Sequence, residues 1–89
     1  MEKISCESTS GVLFTGTAEV DRVYGYERIE LVGSDGTRVF YECSWPEEYF
    51  IVKINEIVFN DLDDFFDACP GSFMEECAEM IVKILTPFY

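Results

Sequence analysis

The sequence predicts an α+β domain in which an antiparallel sheet is followed by helices. Apolar and polar residues alternate with period two over the first 59 residues, and apolar residues then recur at helical spacing. The length of 89 residues corresponds to a single domain, residues 1–89. We therefore expect a sheet of about four to six strands over residues 3–59. A helical hairpin, residues 61–69 and 73–85, is expected to pack on one face of that sheet.

The first two strands are predicted from alternation and turn chemistry. Residues 4–7 alternate briefly, and residues 8–11 have the Ser, Thr and Gly composition of a turn. Residues 12–20 then alternate throughout, which is typical of a strand with one buried face. The side predicted to be buried carries Val12, Phe14, Gly16, Ala18 and Val20.

The next two strands are predicted to form a hairpin. A turn at residues 21–22 leads into a third strand, residues 23–32. Residues 33–36 read Gly-Ser-Asp-Gly, and the glycines suit a tight turn that needs a positive φ. Residues 38–43 return as the fourth strand, with Val39 and Tyr41 opposite in direction to Phe40 and Glu42.

Residues 49–59 fit two structures. Apolar residues at positions 50, 51, 54, 57 and 58 would suit one face of a helix, whereas the many β-branched residues favour strands. We predict a strand at 49–54, a turn at Asn55 and Glu56, and a short strand ending at Phe59. A helix over this segment stays the alternative.

The helices are predicted from capping signals and apolar spacing. Asn60 suits an N-cap, and the acids that follow it suit a first turn. Pro70 and Gly71 end this helix, and Ser72 with Glu75 forms a capping box for the next. The predicted buried stripes are Leu62, Phe65, Phe66 and Cys69 on the first helix, and Phe73, Cys77, Met80, Ile81 and Ile84 on the second.

Composition restricts the classes of partner. Eighteen acidic against six basic residues give a formal charge of −12, which opposes direct binding to nucleic acid and to anionic membranes. Residues 1–3 lead straight into a strand pattern without the apolar core of a signal peptide, so we expect a cytoplasmic protein. Its four cysteines match no zinc-binding spacing and are expected to be reduced and buried. A bridge between Cys69 and Cys77 is the alternative.

The acidic residues of the two predicted helices form the main candidate site. No Lys or Arg lies between Lys53 and Lys83, so the usual partner cation four residues along is missing for all of these acids except Glu79. Acids on adjacent helical turns are about 5–6 Å apart, which is close to the spacing of phosphates along a nucleic-acid strand. A solvated face with no partner is the plainer interpretation. The predicted partner-binding residues are Asp63, Asp64, Asp67, Glu75, Glu76 and Glu79.

We therefore expect a non-catalytic interaction protein whose partner is a basic, nucleic-acid-binding protein or nuclease. Charge and size point to inhibitors of the anti-CRISPR, anti-restriction or toxin-immunity type. The alternative is a structural subunit that self-associates, for example as a homodimer, and uses its acidity only for solubility. A secondary candidate surface combines basic and aromatic residues along the predicted third strand, namely Arg22, Tyr24, Tyr26 and Arg28.

Other chemistry finds little support in the sequence. Calcium binding is not expected, because Phe65 and Phe66 stand where an EF-hand loop starting at Asp61 needs a ligand and a glycine. The chain has no histidine and no phosphate-binding glycine loop, so we expect neither an enzyme nor a cofactor or metal.

Overall fold

A computed structural model describes residues 2–68 and 73–88. Within them, six strands form one antiparallel sheet in which each strand pairs with the next along the chain. The α+β class and the antiparallel sheet are confirmed. The strands are β1 (Glu2–Glu7), β2 (Leu13–Asp21), β3 (Tyr26–Gly33), β4 (Arg38–Ser44), β5 (Tyr49–Ile54) and β6 (Ile57–Phe59), followed by helices α1 (Leu62–Ala68) and α2 (Phe73–Leu85) and a 3₁₀ turn, Thr86–Phe88.

The sheet has a covered face and an open face because successive side chains point to opposite sides. On the covered face, Ile29 lies opposite both Ala18 and Tyr41, and all three are buried. The open face carries a cross-strand row of Thr17, Glu30, Phe40 and Lys53. The alternation predicted for the strands is therefore confirmed.

The hydrophobic core lies between the covered face and the helices. On α1, Phe65 is buried, and its ring centroid lies 5.5 Å from that of Phe59 and 6.5 Å from that of Phe50. The buried residues that α2 contributes are four of the five in its predicted stripe, Cys77, Met80, Ile81 and Ile84. The side chains of three other predicted core residues, Leu62, Phe66 and Phe73, lie outside the described part of the chain.

One polar pair is closed inside the core. The hydroxyl of Tyr41 donates a hydrogen bond of 2.7 Å to Oε1 of Glu27, and both residues are buried. Burial, together with the hydrogen bond to the Glu27 carboxylate, raises the pKa of Tyr41 above its ordinary value. Since neither group is accessible, the pair stabilises the fold and offers nothing to a ligand.

The predicted helical hairpin is wrong. The seven residues of α1 make fewer than two turns, and α2 is the longer helix with thirteen. In the described residues, α1 contacts β6, whereas α2 contacts β1 at the other edge of the sheet. The two segments therefore lie beside opposite edge strands rather than against each other as hairpin arms. Pro70, Gly71 and Ser72, which were predicted to separate the helices, lie outside the described residues.

The start of α1 also differs from the prediction. Oδ1 of Asp61 accepts a hydrogen bond of 2.8 Å from the backbone N–H of Asp63, and the carbonyl of Asp61 accepts one of 3.1 Å from Phe65. These are the bonds of an N-cap residue, so Asp61 and not Asn60 caps the helix. Either residue type can cap, and sequence alone does not fix which one does.

Residues 49–59 form two strands, as predicted, and not a helix. Asn55 turns the chain with a φ of 56°, a conformation that asparagine tolerates better than most residues. Its side-chain Oδ1 accepts a hydrogen bond of 3.0 Å from the backbone of Arg38, and its own N–H donates to the carbonyl of Arg38 at 2.9 Å. These bonds anchor the β5–β6 turn to β4.

The cysteines differ in accessibility. Cys43 and Cys77 are buried, and Cys6 is half-buried. Burial raises the pKa of the Cys43 thiol. Cys69 lies outside the described residues, and so does the predicted alternative of a bridge from it to Cys77.

Candidate protein-binding surfaces

The predicted acidic residues of α1 all face solvent. Asp63, Asp64 and Asp67 are exposed on a helix that lies beside β6. Asp63 follows the capping residue, so its charge also stabilises the helix start. Asp64 is in the first turn as well, whereas Asp67 lies further along and gains little from the helix dipole.

The predicted acidic residues of α2 lie near the opposite edge of the sheet. Glu75 and Glu79 are exposed, and Glu76 is half-buried and accepts a hydrogen bond from the hydroxyl of Thr9 in the β1–β2 turn. Glu75 also interacts with another residue of the chain. The structure therefore places the six acids in two groups, one beside β6 and one beside β1. The predicted hairpin would have placed them together.

In the part of the chain that the structure describes, four of these carboxylates form no ion pair with a cation, although Lys83 lies four residues along α2 from Glu79. Within the described residues, no Lys or Arg forms an ion pair with Asp63, Asp64, Asp67 or Glu79. An ion pair is present elsewhere, on the open face, where Nη2 of Arg28 lies 3.3 Å from Oε1 of Glu30. The helical side of the molecule consequently presents negative charge alone, apart from Lys83 in the last turn of α2.

A second surface forms where two turns meet at one end of the sheet. The β2–β3 turn, residues 22–25, contacts the β4–β5 turn, residues 45–48. The backbone N–H of Trp45 donates a hydrogen bond of 3.0 Å to the carbonyl of Gly25. Gly25 has a φ of 89°, and a Cβ atom there would lie 3.4 Å from Pro46. A Cβ atom would fit at that distance, so the glycine is required by the positive φ of the turn rather than by the packing.

The β2–β3 turn also corrects the predicted start of the third strand. Oδ1 of Asp21 accepts backbone hydrogen bonds of 3.1 Å from Val23 and 3.0 Å from Tyr24, and its carbonyl accepts one of 2.8 Å from Gly25. Aspartate commonly closes turns in this way. As a result β3 begins at Tyr26 rather than at Val23.

Four aromatic side chains gather at these turns, and we call them the aromatic tip: Tyr24, Tyr26, Trp45 and Tyr49. Trp45 is 61% exposed, Tyr24 50% and Tyr49 45%. The hydroxyl of Tyr24 donates to Oε1 of Glu47 at 2.7 Å. That of Tyr26 donates to Oε2 of Glu42 at 2.6 Å. The tip therefore has fixed geometry, apolar faces and a carboxylate rim.

The two hydrogen-bonded tyrosines ionise with more difficulty than free phenols. The hydrogen bond to Glu42, with help from burial, raises the pKa of Tyr26 to about 12. The hydrogen bond to Glu47 likewise raises the pKa of Tyr24. Both groups stay neutral donors at physiological pH, which leaves the rim carboxylates as the charged groups beside the rings.

The structure does not bring the four residues of the secondary candidate surface together in one site. Tyr24 and Tyr26 belong to the aromatic tip, and Arg22 in the turn interacts with another residue of the chain. Arg28 lies on the open face, where its Cζ is 5.5 Å from the ring centroid of Phe40. Nζ of Lys53 lies 5.7 Å from the same centroid, so two cations approach one ring.

Sequence reasoning did not find Trp45 and Tyr49 as candidates. The signal that could have found them is topological. In a sheet whose strands pair in sequence order, alternate turns lie at the same end, so the β2–β3 and β4–β5 turns must meet. Each of these turns carries exposed aromatic residues, and the order of the strands brings them together.

The remaining features of the described residues are a groove on the open face, the grouping of possible metal ligands and the length of the helices. A shallow groove of about 670 Å³ on the open face is lined by residues that include Thr17, Arg38, Phe40 and Lys53. In residues 2–68 and 73–88, no three Cys, Asp or Glu side chains are grouped as metal ligands would be. Neither described helix has the length and the apolar run that crossing a membrane requires.

Comparison of the chain with protein-family models, with curated proteins and with solved structures finds no match in any of the three. The function must therefore be inferred from the surfaces themselves.

Proposed function

We propose that this protein is a non-catalytic inhibitor that binds a basic, nucleic-acid-binding protein partner through the acids of its helical side. The binding residues in this proposal are Asp63, Asp64, Asp67, Glu75, Glu76 and Glu79. The class includes small acidic inhibitors of nucleases and of restriction or CRISPR effectors, and immunity proteins against nuclease toxins.

The observation that supports the proposal is the lack of compensation. Asp63, Asp64, Asp67 and Glu79 are exposed and form no ion pair within the described residues. Like charges on one helix slightly destabilise it, and capping accounts only for the acids of the first turns. In a complex with a partner lined with Lys and Arg, the same carboxylates would form charge-assisted contacts, and their charge would speed association.

A second candidate function is self-association through the open face. Leu13, Val32 and Val58 lie on this face, and each is about half exposed. Apolar residues on the uncovered side of a sheet are typical of a surface that another chain covers. In this case the acidity would serve solubility alone, and association would persist at high salt.

Binding to proteins of the native host distinguishes the two candidate functions. The tagged protein is exposed to host extract, bound proteins are eluted with a salt gradient and identified, and each is then purified and titrated with the tagged protein. We expect a nucleic-acid-binding protein that elutes at moderate salt, is displaced by competing DNA or RNA, and binds the purified chain directly. A salt-resistant homodimer without any such partner would instead support self-association.

A variant and a matched control locate the surface. Asp64→Asn, Asp67→Asn and Glu79→Gln together remove three charges from the helices. Glu19→Gln, Glu30→Gln and Glu56→Gln remove three charges from the open face of the sheet and the β5–β6 turn, away from α2. We expect the helix variant to bind the purified partner at least several-fold more weakly, since rim pairs contribute roughly 0.2–1 kcal/mol each. The control should bind almost as the parent does. Equal losses would mean that net charge alone matters.

A further inference from the structure

The aromatic tip is a surface that the acidic helices do not explain. It lies at the end of the sheet where the β2–β3 and β4–β5 turns meet, and three of its four rings are about half exposed. Trp and Tyr are the residues most enriched at the energetic centres of protein interfaces. Val23 beside them is fully exposed, which adds to the apolar area.

Hydrogen bonds hold the two turns of the tip together and fix two of its four rings. The bonds that hold it are the Trp45–Gly25 backbone hydrogen bond, the Tyr24–Glu47 and Tyr26–Glu42 hydrogen bonds, and the closure of the turn by Asp21. Ordering a flexible loop on binding costs free energy, and a surface fixed in advance avoids that cost. Pre-organised aromatic side chains are a feature of binding sites more than of solvated turns.

A buried polar atom beneath the rings is left unsatisfied. Ser44 is only 4% exposed, and its Oγ has no hydrogen-bond partner within the described residues. Ser44 pairs with Tyr26 on one side and Tyr49 on the other. The Tyr24 hydroxyl lies near it without meeting hydrogen-bond geometry. A buried hydroxyl without a partner is unfavourable, which sets these rings apart from a fully hydrogen-bonded, solvated turn.

The charge around the tip indicates which kind of ligand it favours. Asp21, Glu47 and Glu48 are exposed in the two turns, and Glu42 lies beside Tyr26. The cations nearby are already engaged, since Arg28 pairs with Glu30 and Arg22 interacts within the chain. Aromatic faces next to carboxylates attract cations through the ring quadrupole and through direct charge. A stacked nucleobase would instead bring its phosphates against these carboxylates, which repel them.

We infer that the aromatic tip binds an arginine side chain presented by a protein partner. The two faces of the flat guanidinium lie against the exposed rings of Tyr24 and Tyr49 beside Trp45, while its N–H groups donate to the rim carboxylates. Arginine suits this site better than lysine, because its planar fork can stack and donate at once. This site goes beyond the acidic helices, and it can exist whether or not they bind.

The test uses capped synthetic peptides and the intrinsic fluorescence of the protein. Trp45 is the chain's one tryptophan, so its emission reports directly on the tip. The probe peptide is (Gly-Arg)₃ with both ends capped, and the control replaces each arginine with citrulline, which keeps the shape and loses the charge. We expect a saturable change of Trp45 emission with the arginine peptide, a weaker one with lysine, and none with citrulline.

Variants assign the response to the tip. Tyr24→Ala and Tyr49→Ala should each weaken binding of the arginine peptide about fivefold, which corresponds to one exposed cation–π contact of roughly 1 kcal/mol. Tyr49→Phe keeps the ring and should bind as the parent does. The variant that neutralises Asp64, Asp67 and Glu79 should stay within about twofold at physiological salt, because exposed charges are screened over about 8 Å. Circular dichroism checks that each variant is folded.

Three outcomes would overturn the inference. Equal responses to arginine and citrulline would reduce the tip to an apolar patch. Loss of peptide binding in the helix variant but not in the tyrosine variants would place the peptide on the acidic helices, which would favour the proposed function while removing this site. A dimer in light scattering that Trp45→Ala dissociates would show that the tip binds a second copy of the chain.

Discussion

Tyr41→Phe tests the buried polar pair on which the centre of the sheet depends. The substitution removes the hydroxyl that donates a hydrogen bond of 2.7 Å to Oε1 of Glu27. It leaves the ring and its packing against Phe50 in place. Glu27 is buried, so water cannot readily replace the lost donor. The carboxylate then stays in the core with one hydrogen bond fewer.

The expected loss in the free energy of unfolding follows from that geometry. A hydrogen bond to a charged group contributes about 1.5–3 kcal/mol, and leaving a buried acceptor without its donor costs a similar amount. Glu27 keeps another interaction within the chain, which places our expectation near the middle of this range, at about 2 kcal/mol. In a domain of this size that loss lowers the melting temperature by roughly 10 °C. Urea unfolding followed by circular dichroism measures it directly.

A matched substitution separates the hydrogen bond from the general effect of losing a hydroxyl. Tyr49→Phe makes the same chemical change on the neighbouring strand, where the side chain is 45% exposed. It should change the free energy of unfolding by less than about 0.5 kcal/mol, as surface substitutions usually do. If Tyr41→Phe costs no more than Tyr49→Phe, the pair does not stabilise the core and the reasoning is wrong.

Three further outcomes are expected. The pKa of Tyr26 is raised to about 12 and that of Tyr41 is also raised, so both phenols bind their protons more tightly in the folded state than in the unfolded one. The contribution of Tyr26 is complete below about pH 10 and is lost as the pH rises through 12, and pH-dependent unfolding should show stability falling only above about pH 10, less steeply in Tyr26→Phe. A Cβ at Gly16 would overlap the carbonyl oxygen of Glu30, so Gly16→Ala should cost about 2 kcal/mol or more in denaturant unfolding, against less than about 1 kcal/mol for the neighbouring Thr15→Ala. A thiol reagent followed by mass spectrometry should modify half-buried Cys6 in the native protein, and buried Cys43, whose pKa is raised, only as fast as the protein unfolds.

Local patterns in the sequence were sufficient for the sheet. Period-two alternation identified the buried positions of the strands, such as Phe14, Ala18 and Tyr41, because one face of an antiparallel sheet is covered and the other is not. The β-branched residues of 49–59 correctly favoured strands over a helix. Turn chemistry at Asn55 and Gly36 was equally local, since both positions need a positive φ.

The arrangement of the helices could not be predicted in the same way. Apolar spacing identified the buried side of α2, but it does not tell which strand a helix lies against. The sheet is six strands wide, and α1 contacts one edge while α2 contacts the other. Five of the six acids were therefore predicted correctly to be exposed, Glu76 is half-buried, and the two groups were assigned wrongly to one hairpin. The aromatic tip was missed for the related reason that Tyr24 and Trp45 are distant in sequence and meet only through the strand order.

The most direct test of the central claim measures affinity against salt for the parent and the helix variant that neutralises Asp64, Asp67 and Glu79. The ligand is the purified basic partner recovered from the host, and calorimetry or surface binding gives the dissociation constant at several salt concentrations. The proposal predicts that the variant binds at least several-fold more weakly, with a shallower salt dependence. Its stability should stay within about 1 kcal/mol of the parent, because relief of repulsion offsets the loss of Asp64 from the first turn of α1. A variant that binds this partner as tightly as the parent, with the same salt dependence, would contradict the claim that the acidic helices form the binding surface.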